Sequence, residues 1–329
     1  MMNTTTNDRF PAEWEPHGAV MLSWPHSATD WNYMLQEVQE CYRAIIDALL
    51  MVGERVILLA PKDEAPNFSL PGLQIIHIDT NDTWIRDYGP LTLASGTLLD
   101  FRFNAWGQKF ASNFDNQTTR TLAEQNVITA PVECHKDFVF EGGSIESDGC
   151  GTLLTTSCCL LAPNRNEPMT REEITRQVLT RLHARKLLWL DCEPLPGDDT
   201  DGHIDTIARL APGNTIVYTI ESHREQLQQM TNADSRPFNL VRLPMPDPIS
   251  DPDDGSPLPA TYANYLVTEK AVLMPTYNQP DNDNNARRVL QSVFPDRQII
   301  PVDCRALIRQ HGSLHCATMQ VPFNAFSLS

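Results

Sequence analysis

"NNARRVLQSVF" at residues 284–294, "QIIPVD" at 298–303 and "GSLHCATMQV" at 312–321 read in turn as a helix, a strand and a second strand. Apolar residues three and four apart mark the helix, and short β-branched runs mark the strands. No helix follows the last strand. At the other end of the chain "GAVMLSWP" is the only strand-like stretch before the first helix, "DWNYMLQEVQECYRAIIDALL" at 30–50. The simplest solution brings the two ends together.

Working back from this end, the same order recurs. The helix at 30–50 is followed by strands "RVILLA" and "QIIHID", the turn "WIRDYGP" and strand "GTLLDFRF". A weaker helix near 116–125 precedes strand "NVITA", turn "EGGSIESDG" and strand "GTLLTTSCCLL". "TREEITRQVLTRL", with Thr170 and Glu173 at capping-box spacing, precedes "KLLWLD", turn "GDDTDGHID" and "NTIVYTI". "REQLQQM" precedes "NLVRLP", a Pro/Asp-rich loop at 243–259, "YANYL" and "AVLMPT". Five α/β units in sequence predict a single domain over 1–329, a ring with pseudo-fivefold symmetry closed by the N- and C-terminal segments. The loop at 243–259 is then a surface insertion, since its Pro-broken, acidic composition packs no core.

Composition narrows the partners. A formal charge of −17 argues against nucleic acid and anionic membranes, and favours a cation. No apolar run reaches the ~18–20 residues of a membrane span. The N-terminus lacks a basic start followed by an apolar stretch, so no secretory signal is expected. Eight cysteines without a CxxC pair predict a reduced, cytoplasmic protein. Vicinal Cys158 and Cys159, read as strand residues, are expected to point to opposite faces and to pack. "DPDDG" and "DNDN" match no EF-hand loop. Nothing excludes a homo-oligomer.

The ring brings equivalent turns to its axis. Those turns carry Asp87, Glu141, His203, Asn264 and Cys316. A thiol that attacks as thiolate, an imidazole that moves protons near neutrality, and the carboxylates Asp87, Glu141 and Asp205 would meet there. Three carboxylates exceed the needs of ordinary acyl transfer. They suit a guanidinium, whose planar fork of donors pairs with carboxylates, and Trp84 could stack on it. Gly89, Gly142, Gly143, Gly202 and Gly312 allow backbone to approach a ligand. His315, on the other strand face from Cys316, reads as structural. A metal-dependent hydrolase using His203, Asp205 and Asp198 is the rival chemistry, and it leaves Cys316 without a purpose. A non-catalytic binding protein on the same scaffold is the third reading, and the complete set of reactive groups disfavours it.

"EPHGAVMLSWP", "WIRDYGP", "FNAWGQKF", "FEGGSIESDGCGTLL", "PNRNE", "TDGHID" and "LHCATMQ" together resemble the agmatine deiminase/bacterial-type peptidyl-arginine deiminase family of guanidine-modifying enzymes, from about Glu13 to Pro322. The resemblance implies a five-bladed α/β-propeller (pentein) of ββαβ units. It implies Cys316 as nucleophile and His203 as general acid/base. Glu141 would orient the histidine and help hold the guanidinium, while Asp87 and Asp205 grip its nitrogens. Trp84, Gly143 and Gly312 would line the substrate pocket. It implies no metal or organic cofactor, and a small cationic guanidino substrate. The expected reaction converts agmatine to N-carbamoylputrescine and ammonia through a thiouronium on Cys316; peptidyl-arginine and free arginine are the alternative substrates. In "RQHGSLHC", His311 and Ser313 stand where the family is glycine-rich, and are expected to shape the rim.

Overall fold

The computed structural model describes residues 8–322 and 325–327. The remaining positions of the 1–329 span lie outside the described residues. The chain is a mixed α/β protein in which five small sheets share one pattern: an antiparallel pair, then a parallel neighbour on the outer side of the second strand. In the first sheet Ala19–Ser23 runs antiparallel to Met319–Val321 and parallel to Arg55–Ala60, which pairs in parallel with Leu73–His77. The others are built from Leu91–Thr92, Leu98–Arg102 and Val132–Val139; from Glu146–Ser147, Thr152–Thr156 and Lys186–Leu190; from Ala208–Ala211, Thr215–Tyr218 and Asn239–Arg242; and from Leu266–Val267, Ala271–Thr276 and Gln298–Asp303. Among the described residues no sheet closes on itself.

A parallel pair needs a crossover, and in each sheet one such connection carries a helix, while the second parallel pair of the first sheet, Arg55–Ala60 with Leu73–His77, is joined by a loop. The helices are Leu35–Met51, Thr118–Glu124, Arg171–Arg181, Arg224–Gln228 and Pro280–Val293. The first turns Val38, Cys41, Tyr42, Ile45, Ile46 and Leu49 inward, the one-face spacing read from sequence. The third has the full capping box, with Thr170 accepting from the Glu173 N–H and Glu173 accepting in return. Ala19–Ser23 is buried along its whole length, as a strand flanked on both sides requires. Met319–Val321 pairs antiparallel with Ala19–Ser23, bringing a late segment onto an early one.

Several local readings change. "GSLHCATMQV" is not a strand throughout; only Met319–Val321 pairs, and 312–318 form turns. The alternation argument for His315 therefore fails. "GTLLTTSCCLL" is strand only over Thr152–Thr156, and Ser157–Leu160 is a helical turn capped by Thr156. Cys158 then faces Cys192, Sγ to Sγ 3.7 Å, while Cys159 turns toward Glu141. "NVITA" contributes one isolated bridge, Ile128 to Phe326, and the strand comes later, at Val132–Val139. That segment, "VECHKDFV", is too polar and exposed at its start to read as a strand. The loop at 243–259 carries a two-residue hairpin, Ile249–Ser250 with Pro257–Leu258.

Candidate active site

Each reactive residue sits just before the short first strand of its hairpin. Asp87 precedes Leu91–Thr92, Glu141 precedes Glu146–Ser147, and His203 and Asp205 precede Ala208–Ala211. Asn264 precedes Leu266–Val267, and Cys316 precedes Met319–Val321. The five segments meet. A β-carbon on Gly143 would lie 2.5 Å from His203 Nδ1, 2.9 Å from Asp87 Oδ1 and 3.1 Å from Asp205 Oδ2. Only a glycine fits there, because three of the candidate groups converge on its backbone.

His203 is fully buried. Its Nε2 lies 2.7 Å from Glu141 Oε2, and its Nδ1 is 3.6 Å from Asp87 Oδ1 with no hydrogen-bond partner among the described residues. Burial opposes a charge on the ring, yet Asp87, the Cys159 thiol and Glu141 outweigh it and hold its pKa well above the ordinary value. Glu141 is buried too. Arg165 grips it through Nε and Nη2, each at 3.1 Å, and this cation with His203 overcomes desolvation to hold Glu141 at about 2. Arg165 also binds Asp201 at 2.6 Å and the Thr200 carbonyl at 2.8 Å, tying this carboxylate to the loop that carries His203.

Asp87 accepts from the Gly143 N–H at Oδ1 and from Trp106 Nε1 at Oδ2, both 2.9 Å. Burial raises its pKa against the lowering effect of His203. Asp205 Oδ2 is 2.7 Å from His315 Nδ1, while Oδ1 is buried without a partner. Burial works against its charge, but His315 keeps its pKa below the usual range. Cys316 Sγ lies 3.2 Å from Asn264 Nδ2 and 3.8 Å from Asp205 Oδ2. Desolvation, then the charges of Asp205 and Asp87, push the thiol well up.

Cys316 and Asp87 line a cavity of about 170 Å³ with Trp84, Trp106, Phe110, His311 and Gly312. Gly312 lets the Trp84 ring press against the backbone; a β-carbon there would stand 2.5 Å from two ring carbons. Asp30, Asp82, Asp199 and Thr200 line the same cavity. His311 has a left-handed backbone (φ 64), a conformation glycine adopts more cheaply, and its Nδ1 meets the Gly197 carbonyl at 2.7 Å. Ser313, expected at the rim, is buried on Tyr277 at 3.0 Å instead.

Sequence reasoning missed four participants. Asn264 was placed on an equivalent turn without a role, yet its Oδ1 accepts the N–H groups of His315 and Cys316 at 2.9 and 3.3 Å. Trp106, Arg165 and Cys159 were not singled out for the site. Trp106 sits in a run of left-handed residues from Ala105 to Gln108, and "NAWGQ" was the available signal. For the metal reading, Asp198 is engaged by Thr200 and Gly202 within its own turn. Glu141, Cys159 and His203 do present ligand atoms within 4.8 Å of one another, as do Glu13, Glu146 and His315. Arg165 already occupies Glu141 in the first group, and Arg209 bridges Glu13 and Glu146 in the second.

The fold and site define a hydrolase acting on the C–N bonds of linear amidines. Residues 9–322 match the Porphyromonas-type peptidyl-arginine deiminase family, and the chain belongs to it. It is similar to a Porphyromonas gingivalis protein provisionally designated an arginine deiminase, at 42% identity and TM-score 0.88 over 96% of this chain and 98% of that one. It is also similar to a C. jejuni agmatine deiminase carrying a cysteine-to-serine change, with substrate bound: 34% identity, TM-score 0.89, 95% and 96% covered. The agmatine deiminase of Pseudomonas fluorescens is 29% identical over 95% of both chains. A dimethylarginine dimethylaminohydrolase, at 16% identity and TM-score 0.56 over 92% of this chain and 99% of that one, shares the pentein fold alone. No helix among the described residues is long and apolar enough to cross a membrane.

Proposed function

We propose that this chain deiminates agmatine to N-carbamoylputrescine and ammonia, on a five-bladed α/β-propeller whose blades are the five sheets and whose axis runs through Asp87, Glu141, His203, Asn264 and Cys316. One observation carries the substrate. The cavity has the thiol and Asp87 among its walls together with Asp30, Asp82 and Asp199, and among the described residues no lysine or arginine lines it, although Lys109 Nζ pairs with Asp199 at 3.6 Å. Agmatine has a cation at each end and suits such walls. The α-carboxylate of free arginine would meet acids and no cation, and a small cavity gives a peptide backbone little room.

The chemistry follows from the charges. Asp87 and the free oxygen of Asp205 take the guanidinium nitrogens and hold its carbon over Cys316. The entering cation reverses the field that keeps the thiol protonated, so the thiol gives its proton to solvent and thiolate forms where it is needed. Sulfur attacks the guanidinium carbon. His203, already protonated, gives the Nδ1 proton to the departing nitrogen, and the C–N bond breaks to release ammonia. Glu141 steadies the ring through Nε2. Water then loses a proton to His203 and attacks the thiouronium carbon, the C–S bond breaks as the adduct's hydroxyl proton passes to solvent, and the ureido product leaves the regenerated thiolate.

A panel of agmatine, arginine and a blocked arginyl peptide, scored for ammonia and ureido product, tests the substrate. Turnover of agmatine with little of the other two is expected. Turnover of the peptide alone would overturn the choice of agmatine.

A further inference from the structure

Next to the nucleophile, His315 points away from the cavity that holds Cys316. Its Nδ1 is 2.7 Å from Asp205 Oδ2, and its Nε2 is 2.7 Å from Glu13 Oε2. Residue and partner are enclosed: His315 is 1% exposed and Asp205 0%. Glu13 is pinned in turn. Its Oε1 accepts the Val267 N–H at 2.7 Å, and its Oε2 accepts Arg209 Nη2 at 2.6 Å. Arg209 spans from Glu13 to Glu146 and donates to the carbonyls of Ala263 and Tyr265, either side of Asn264. Glu13 and His315 line a second cavity, of about 200 Å³, that has no lining residue in common with the first.

We infer that His315 and Glu13 are positioning residues for Asp205: they commit one oxygen of that carboxylate and aim the other at the substrate's guanidinium. The inference rests on the reading of Asp205 as a guanidinium-binding group. An ionised carboxylate can only accept, so the ring supplies the hydrogen at Nδ1, and that contact fixes the rotation of Asp205. With Oδ2 taken, Oδ1 is left as a buried acceptor without a partner, which a cationic donor would satisfy. Glu13 sets the ring from its other side, as a carboxylate behind a histidine does at catalytic and metal sites. The groups facing His315 are Asp205, Glu13, Glu146, Arg209, whose Nη2 lies 3.2 Å from Nε2, and Arg86, whose Nε meets the His315 carbonyl at 3.3 Å. Removing His315 withdraws the hydrogen bond that keeps Asp205 ionised, so Asp205 should titrate at higher pH.

Titration calorimetry of agmatine into the full chain carrying Cys316→Ala tests this without turnover. The same measurement is made with His315→Ala, His315→Asn or Glu13→Gln added. His315→Ala should weaken binding by at least about tenfold and shift its acid limb to higher pH. His315→Asn should recover much of the loss, because its amide can donate where Nδ1 did. Glu13→Gln, nearly isosteric, should fall between, with the same direction of pH shift and a lower melting temperature, because the buried Arg209 loses a counter-charge. Unchanged affinity and acid limb in folded His315→Ala, or in Glu13→Gln should the alanine variant fail to fold, would overturn the inference alone. No uptake of agmatine by Cys316→Ala itself would overturn the substrate reading, and this inference with it.

Discussion

Asp87 depends on a residue outside the repeating turns. Trp106 donates its indole N–H to Oδ2 and otherwise packs against Phe103 and Phe110. Trp106→Phe keeps the packing and removes the donor. A hydrogen bond to a charged group contributes roughly 1.5–3 kcal/mol, so kcat/KM should fall about 10- to 100-fold with thermal stability nearly unchanged. Asp82 makes a second prediction. Desolvation, with Asp30 and Asp199 nearby, pushes its pKa up to about 7. Below that pH it is neutral and holds an ammonium weakly; above it the charge is present. The KM for agmatine should therefore fall as pH rises through about 7, and Asp82→Asn should raise KM and flatten that dependence. At this scale the sequence was informative where glycine-flanked turns recur at matched places, as with "WIRDYGP", "FEGGS" and "TDGHID". It was silent on Arg165 and Trp106, because a lone Arg or Trp in a loop has no periodicity to betray its partner. It turned His315 away from Cys316 for the wrong reason, because turn geometry, not strand alternation, sets where that ring points.

Among the elements, the crossover helices were legible and the hairpins were not. Leu35–Met51 and Arg171–Arg181 announce themselves by an apolar face and by a capping box. Leu91–Thr92, Glu146–Ser147 and Leu266–Val267 are two-residue strands, too short for any alternation to show. They matter because they follow the reactive turns and set where each side chain begins. The capping box gives a prediction free of catalysis. Thr170→Ala removes the cap at the start of Arg171–Arg181 and should cost about 1 kcal/mol of stability in urea unfolding, with kcat/KM unchanged. An equal loss of activity would mean that this helix transmits to the Glu141–Arg165 pair.

The whole molecule encloses several ion pairs that set its acid limit. Glu141, held at about 2 against an ordinary 4.5, contributes stability that is complete above 4.5 and is lost as pH falls through about 2. The contribution is on the order of 3 kcal/mol. Asp87 and Glu146, raised by burial, act in the opposite sense, since protonating them favours the folded state. Urea midpoints measured from pH 5 to pH 2.5 should therefore fall more steeply in the wild type than in Glu141→Gln; equal slopes would contradict the assignment. The pairing of Met319–Val321 with Ala19–Ser23 brings residues about 300 apart in sequence into one sheet. The inner layer of Arg209, Glu13, Glu146 and His315 was not legible in the sequence, because it gathers residues from distant segments, three of them buried and Glu13 partly so.

The central claim is that Cys316 attacks the guanidinium carbon, and the most direct measurement is acid quenching of the enzyme mixed with excess agmatine, followed by mass spectrometry of its peptides. The account predicts a transient adduct on the Cys316 peptide with the mass of agmatine less ammonia, decaying as the ureido product appears. In Cys316→Ala the adduct should be absent and ammonia release lowered by a factor on the order of 10⁴ or more, with the fold retained. Turnover without an adduct on Cys316, or ammonia release that persists in folded Cys316→Ala, would contradict it.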